Sequence, residues 1–370
     1  MVAETTAGSR LDSLDALRGF DMVWISGGDL VITALRDLTG WPIFQLATDQ
    51  LEHVPWVGFH FYDLIFPLFL FISGATIPLA LAHRRARGDG MKGWTTRLVR
   101  RALLLVFLGM VYNGLLNFEW GNIRYASVLG RIGLGYFFAA LIVTRTTIRT
   151  QAIWAAGLLL AYWAAMMLVP VPGIGAGVIT PDGTLQGYVD RLFLPGKFYF
   201  ATYDPEGILS TIPAISTALL GAMAGHCLLD ERWKPKRKSL LLFLAGIVSL
   251  GLGLLWGLTF PVIKNIWTSS FVLVAGGWSL MLLSAFYLVV DVWGWKKWAF
   301  LFILIGMNPL TLYLTQAGMI NYETTAGYFF NGLLHSFGDP VKALLWALCL
   351  LTVKFLFLYF LYRKRIFLRV

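Results

Sequence analysis

Charge is what this 370-residue chain has least of: 14% of its residues are Asp, Glu, Lys or Arg, where a soluble domain carries roughly 25%. Cysteine is almost missing. Cys227 and Cys349 both sit in apolar segments, which excludes a disulfide framework and any cysteine-based metal site. Five histidines are present, but none falls in an HxxxH or HExxH pattern, so no metal is expected. The first 14 residues have no short apolar core followed by a cleavage site, so no cleaved signal peptide is expected. Repeats and low-complexity tracts are absent too, as is any polar stretch long enough for a soluble domain.

What remains is apolar. Hydrophobic residues make up 58% of the chain and its mean hydropathy is +0.69, as befits a chain whose solvent is mostly lipid. Stretches long enough to cross a bilayer as helices run over about 15–36, 62–83, 98–117, 126–144, 151–171, 206–228, 239–259, 267–290, 298–320 and 341–362. The expected fold is therefore all-α: a polytopic integral membrane protein of about ten transmembrane helices, forming one domain over 1–370.

The net charge of +10 does not point to nucleic acid, because the basic residues lie in short clusters between apolar runs. Twenty-two of the 30 Lys and Arg fall on one side of the ten-span topology and six on the other. The richer side is expected to be cytoplasmic, with both termini there and the long connections 37–61, 172–205 and 321–340 facing outward.

Polar groups in or beside spans are costly unless paired or functional. The first span holds Asp21 and Ser26-Gly27-Gly28-Asp29, and the second opens on His60-Phe61-Tyr62-Asp63. Arg131 opens the fourth, Asp204-Pro205-Glu206-Gly207 the sixth, and Lys264-Asn265 precedes the eighth. Asn308-Pro309 and Gln316 interrupt the ninth. Bland roles exist for each: Asp63 as a helix cap, Asp204 and Glu206 as a helix-start signal, Arg131 as a structural ion pair, Asn308-Pro309 as a kink. Together they point to a polar cavity that opens outward. His53 is a titratable base beside Trp56, with Asp63 available to orient it.

Several segments resemble the membrane N-acetyltransferases typified by heparan-α-glucosaminide N-acetyltransferase. They are Ser13-Leu14-Asp15-Ala16-Leu17-Arg18-Gly19-Phe20, the spacing of His53, Trp56, Gly58, Asp63, Phe66 and Pro67, and Val128-Leu129-Gly130-Arg131-Ile132-Gly133 with Tyr136. Further matches are Asp204-Pro205-Glu206-Gly207-Ile208-Leu209, Pro261 to Trp267, Gly306-Met307-Asn308 and Leu361 to Phe367. The resemblance runs in one order over residues 11 to 370. It implies acetyl transfer from cytosolic acetyl-CoA to an amino sugar across the membrane, with His53 as the active histidine and a dimer as a compatible assembly. No counterpart of the animal enzyme's luminal domain and extra leading helix is expected here, so acceptor recognition is expected to differ. A bacterial inner membrane is the expected location. Where the family carries a catalytic asparagine, this chain has Ser26 to Asp29, with Asp29 as the stand-in.

That chemistry assigns roles. His53 acts as general base or acetyl carrier, with Asp63 and Asp29 orienting and stabilising its ring. Lys264, Asn265 or Asn308 polarises the thioester carbonyl. Arg18, Arg131, Arg97, Arg100 and Arg101 are candidates for the coenzyme phosphates. On the acceptor side, Trp56, Trp120, Tyr203 and Trp267 are candidate stacking surfaces, and Asp204 and Glu206 candidate partners for an ammonium or hydroxyls. An O-acetyltransferase of polysaccharide, and a sugar or solute transporter, are the alternatives.

Overall fold

A computed structural model describes residues 11–88 and 93–368. Of the basic residues used to orient the chain, Arg10, Lys92 and Arg369 lie outside the described residues, as does the side chain of Trp120. Helix dominates, and among the described residues there is no strand.

Among the described residues, seven helices are long and apolar enough to span a bilayer: Phe61–Ala86, Val128–Arg145, Ile148–Leu168, Thr211–Leu229, Pro235–Gly257, Ser269–Val292 and Asp339–Arg363. Phe300–Met307 and Pro309–Met319 are bent by 73° to each other and add an eighth if the pair crosses as one span. The first and third expected spans are helical as well, over Asp12–Thr39 and Trp94–Tyr112. They fall short of the apolar criterion because they carry Asp12, Asp15, Arg18 and Asp21, and Arg97, Arg100 and Arg101. The polytopic all-α fold thus stands, with seven spans on apolarity alone, eight if the bent pair crosses, and ten only if two charged helices also cross.

One boundary is corrected. The sixth helix begins at Thr211, not at 206. Asp204 to Ser210 form turns instead, because the buried Asp190 carboxylate takes up the backbone N–H groups of Asp204 (3.3 Å) and Ile208 (2.9 Å). Asp204 therefore does not start that helix.

The second and sixth helices pack with their backbones nearly touching. A Cβ on Gly74 would lie 2.0 Å from the Ala218 carbonyl oxygen, and one on Gly221 would lie 1.9 Å from that of Phe71. Small residues permit such approach where helices pack without a hydrophobic drive in lipid. This pair fixes the wall on which the start of the second helix, and with it Asp63, is mounted.

The first helix breaks midway into a wide turn over Trp24–Gly28, where Gly27 has φ +112°. The ninth breaks at Asn308 and again at Gly318. Both breaks border a common interior space.

Candidate active site

The segment Leu51 to His60 is not helical, and three hydrogen bonds tie it to two other loops. Gly58 N donates to Val262 O (2.9 Å), Asn265 Nδ2 to Pro55 O (3.3 Å), and Trp56 Nε1 to Ile179 O (2.9 Å). The result carries His53 back against the first turn of the second helix.

There Asp63 makes two contacts at once. As a cap it accepts from His60 N (3.0 Å), and its other oxygen lies 2.8 Å from His53 Nδ1. The carboxylate is 1% exposed, the imidazole 52%. A carboxylate only accepts, so Nδ1 carries the proton and Nε2 holds the free lone pair. Tyr62 packs against the imidazole at 4.8 Å between ring centroids.

Lys264 completes the group. Its Nζ is 3.1 Å from His53 Nε2, 2.9 Å from Nδ1 and 3.4 Å from Asp63 Oδ1. Nearly equidistant from both ring nitrogens, Nζ lies off the ring plane beside Cε1, so the Nε2 lone pair is not taken up by the ammonium. The loop presenting Lys264 is rigid: Thr268 Oγ1 accepts from Ile263 N (3.0 Å), and Tyr162 Oη donates to Ile266 O (2.5 Å). Burial pushes the Lys264 ammonium below the ordinary lysine range, against the pull of Asp63 and Glu206.

His53, Lys264 and Asn265 line a cavity of about 1210 Å³ that extends to Arg18, Arg101 and the tail residues Phe367 and Leu368. Arg18 is held by Asp15 Oδ1 (3.0 Å) and the Gly306 carbonyl (3.2 Å). Arg101 lies over the Tyr136 ring at 4.0 Å. One long space thus joins a histidine–carboxylate pair from the connections expected to face outward with arginines from the helix ends expected to be cytoplasmic.

Glu206 also lines this cavity, paired with Arg124. Arg124 was not foreseen, although it is one of the six basic residues on the side poor in them. It grips both oxygens of Asp204 at 2.6 Å and lies over the Tyr199 ring. Burial works against its charge, yet the two carboxylates outweigh that and hold its pKa above the ordinary arginine value.

Other expected site residues lie elsewhere. Asp204 is fully buried, its carboxylate spent on Arg124 and on the N–H groups of Tyr199 and Glu206, so it is not open to an acceptor. Trp267 is 1% exposed. Its indole donates to Thr217 Oγ1 (3.2 Å), and the Arg131 guanidinium covers its ring at 4.9 Å, leaving no face for a sugar. Arg131 is 2% exposed and bonds Ser210 Oγ and the Pro205 carbonyl. It braces the Asp204–Ser210 turns and does not face the cavity's basic end.

Trp56 has its indole N–H committed to Ile179 and its ring edge-on to Tyr203 at 5.7 Å. Asn308 donates to Ile366 O (3.0 Å) and accepts from Leu368 N (3.2 Å), so its amide pins the tail and not a thioester. Asp29 opens the helix segment Asp29–Thr39 that follows the wide turn and is not among the residues lining the cavity.

Residues 10–115 match the model of a domain of unknown function, DUF5009. Human heparan-alpha-glucosaminide N-acetyltransferase is 29% identical over 379 aligned residues, covering 86% of this chain and 56% of that protein. The mouse protein of the same name is 27% identical over 378, with the same coverage. The chain spans about half the length of these curated relatives. Over most of its own length, then, it is similar to heparan-alpha-glucosaminide N-acetyltransferases, and the resemblance carried by its motifs extends across the chain that builds this cavity.

Proposed function

We propose that this chain is a single membrane-embedded acetyltransferase domain, moving acetyl from acetyl-CoA on the cytoplasmic side to an amino sugar on the other. The bilayer would be a bacterial inner membrane. One observation carries this: the free Nε2 of an Asp63-oriented histidine faces a cavity that continues to Arg18 and Arg101 at its basic end. A nucleophile, a route and a phosphate-compatible entrance share one space.

In this scheme His53 Nε2 takes the proton from the acceptor amine as the nitrogen attacks the thioester carbonyl, and the thiolate leaves. Nε2 can equally attack first and carry the acetyl group. Asp63 keeps Nδ1 protonated and stabilises the imidazolium. Lys264 and Asn265 are the donors closest to where negative charge develops on the carbonyl oxygen. Arg18 and Arg101 would hold the coenzyme phosphates by charge-assisted hydrogen bonds, and Glu206 the acceptor's ammonium. Asp204, Arg131, Trp56, Trp267 and Asn308 support the walls, and Asp29 lies outside the cavity lining.

The test is transfer from labelled acetyl-CoA to glucosamine by detergent-purified protein, beside His53→Ala. Transfer lost in a folded variant that still binds acetyl-CoA supports the scheme. Product on hydroxyl acceptors alone would make the enzyme an O-acetyltransferase. Failure to bind acetyl-CoA, together with sugar uptake into proteoliposomes, would replace the enzyme with a transporter.

A further inference from the structure

The amine of Lys264 lies beside the His53 ring, close to both of its nitrogens. Its Nζ is within hydrogen-bond distance of the free nitrogen of His53 and 3.4 Å from the carboxylate that orients the ring. Among the described residues lining the cavity, it is the one lysine. Lys354, by contrast, is turned onto the Ser26 carbonyl, and Lys238 onto that of Leu228.

We propose that Lys264 is itself an acetyl acceptor: with no amino sugar present, its ε-amine takes the acetyl group from acetyl-CoA and becomes an acetyl-lysine. Self-acetylation presupposes the acetyl transfer proposed above. Neutral Nζ attacks the thioester carbonyl, the C–S bond breaks and the N–C bond forms. The amine proton passes through His53 Nε2 to the departing thiolate, giving free CoA thiol. Neither oxidant nor further reactant is needed. The product is an amide, which lacks the lability of an acetyl-imidazole, so the modification also removes a cation from beside His53.

The charged and titratable groups facing Nζ are His53, Asp63 and Glu206. The amine reacts and the ammonium does not, so labelling should rise with pH. Because burial lowers the Lys264 pKa, it should level off below the pH at which an exposed lysine would.

The experiment incubates purified full-length protein with labelled acetyl-CoA and no sugar, then maps the label by peptide mass spectrometry after hydroxylamine treatment. The expected result is a hydroxylamine-stable acetyl group on Lys264, forming much faster than on exposed Lys197 and Lys236. It should be absent from Lys264→Arg and about 100-fold slower in His53→Ala, the scale of a lost general base. Labelling of Lys264 no faster than of Lys197, or at an undiminished rate in His53→Ala, would overturn the proposal. So would an unmodified Lys264 in protein that releases CoA when glucosamine is added, which leaves the transferase scheme standing. If no CoA is released with any acceptor and no lysine is labelled, the transferase scheme and self-acetylation fall together.

Discussion

Lys354 and Lys264 are both sequestered, and they do opposite things. Lys354 lies in the last membrane helix, with Nζ donating to Ser26 O (2.7 Å) and Gln316 Oε1 (3.3 Å) and lying over the Tyr322 ring. Ser26 sits in the wide turn of the first helix, where Gly27 leaves helical geometry and the regular ladder is broken. A cation there caps a carbonyl that lipid could not satisfy. Lys264 faces a histidine, a carboxylate and open space. Both are expensive charges beside a bilayer, yet only the second adjoins room for another molecule. An intramembrane charge marks a place where backbone or chemistry needs it, and the neighbouring void tells the two apart.

The sharpest break in the comparison would come at His53. Replacing it with Ala should lower kcat for acetyl transfer by about 10²–10⁴, with the unfolding temperature in detergent unchanged because the ring is half exposed. Asp63→Asn should follow at about 100-fold in kcat, within the range expected for general-base catalysis, since an amide no longer enforces a protonated Nδ1. Its stability should change little, because the amide oxygen can still accept from His60 N while the NH2 turns towards His53. A variant of full activity would remove the orienting role.

On the other side of the comparison, Lys354→Met should destabilise by about 1–3 kcal/mol by stranding a buried acceptor, with kcat unchanged. A fall in kcat without loss of thermal stability would merge the roles of the two lysines. Trp56→Phe should show the smallest effect, about 1 kcal/mol from one lost hydrogen bond, with KM for glucosamine unaltered. A raised KM would return Trp56 to the acceptor site.

Much of this was legible in the sequence because lipid is a severe solvent. It selects apolar runs of fixed length and penalises stray charge, so helix positions and the short roll of suspicious polar residues could be read directly. His53 and Asp63, ten residues apart, were legible as a pair because Asp63 opens a helix and a capping carboxylate faces back toward the preceding loop. Lys264 was legible as a candidate, but its partner was not: 211 residues separate it from His53.

The same severity misled where charge is internally compensated. Arg131, Asp204 and Asn308 looked functional because each was polar in the wrong place, yet Asp204 and Asn308 are taken up by an opposite charge or by backbone groups, and Arg131 binds the Pro205 carbonyl and the Ser210 hydroxyl. Trp267 looked like an interfacial platform, and the guanidinium over its ring makes it part of the core. The sequence by itself determined a helical membrane protein and the residues whose chemistry needed explaining, since hydropathy and burial cost are local properties. Only the tertiary structure decided which of those residues share the cavity and which spend themselves on walls. Hydrogen-bond satisfaction depends on which distant carbonyl or carboxylate packing brings within 3 Å or so, and no local pattern records that.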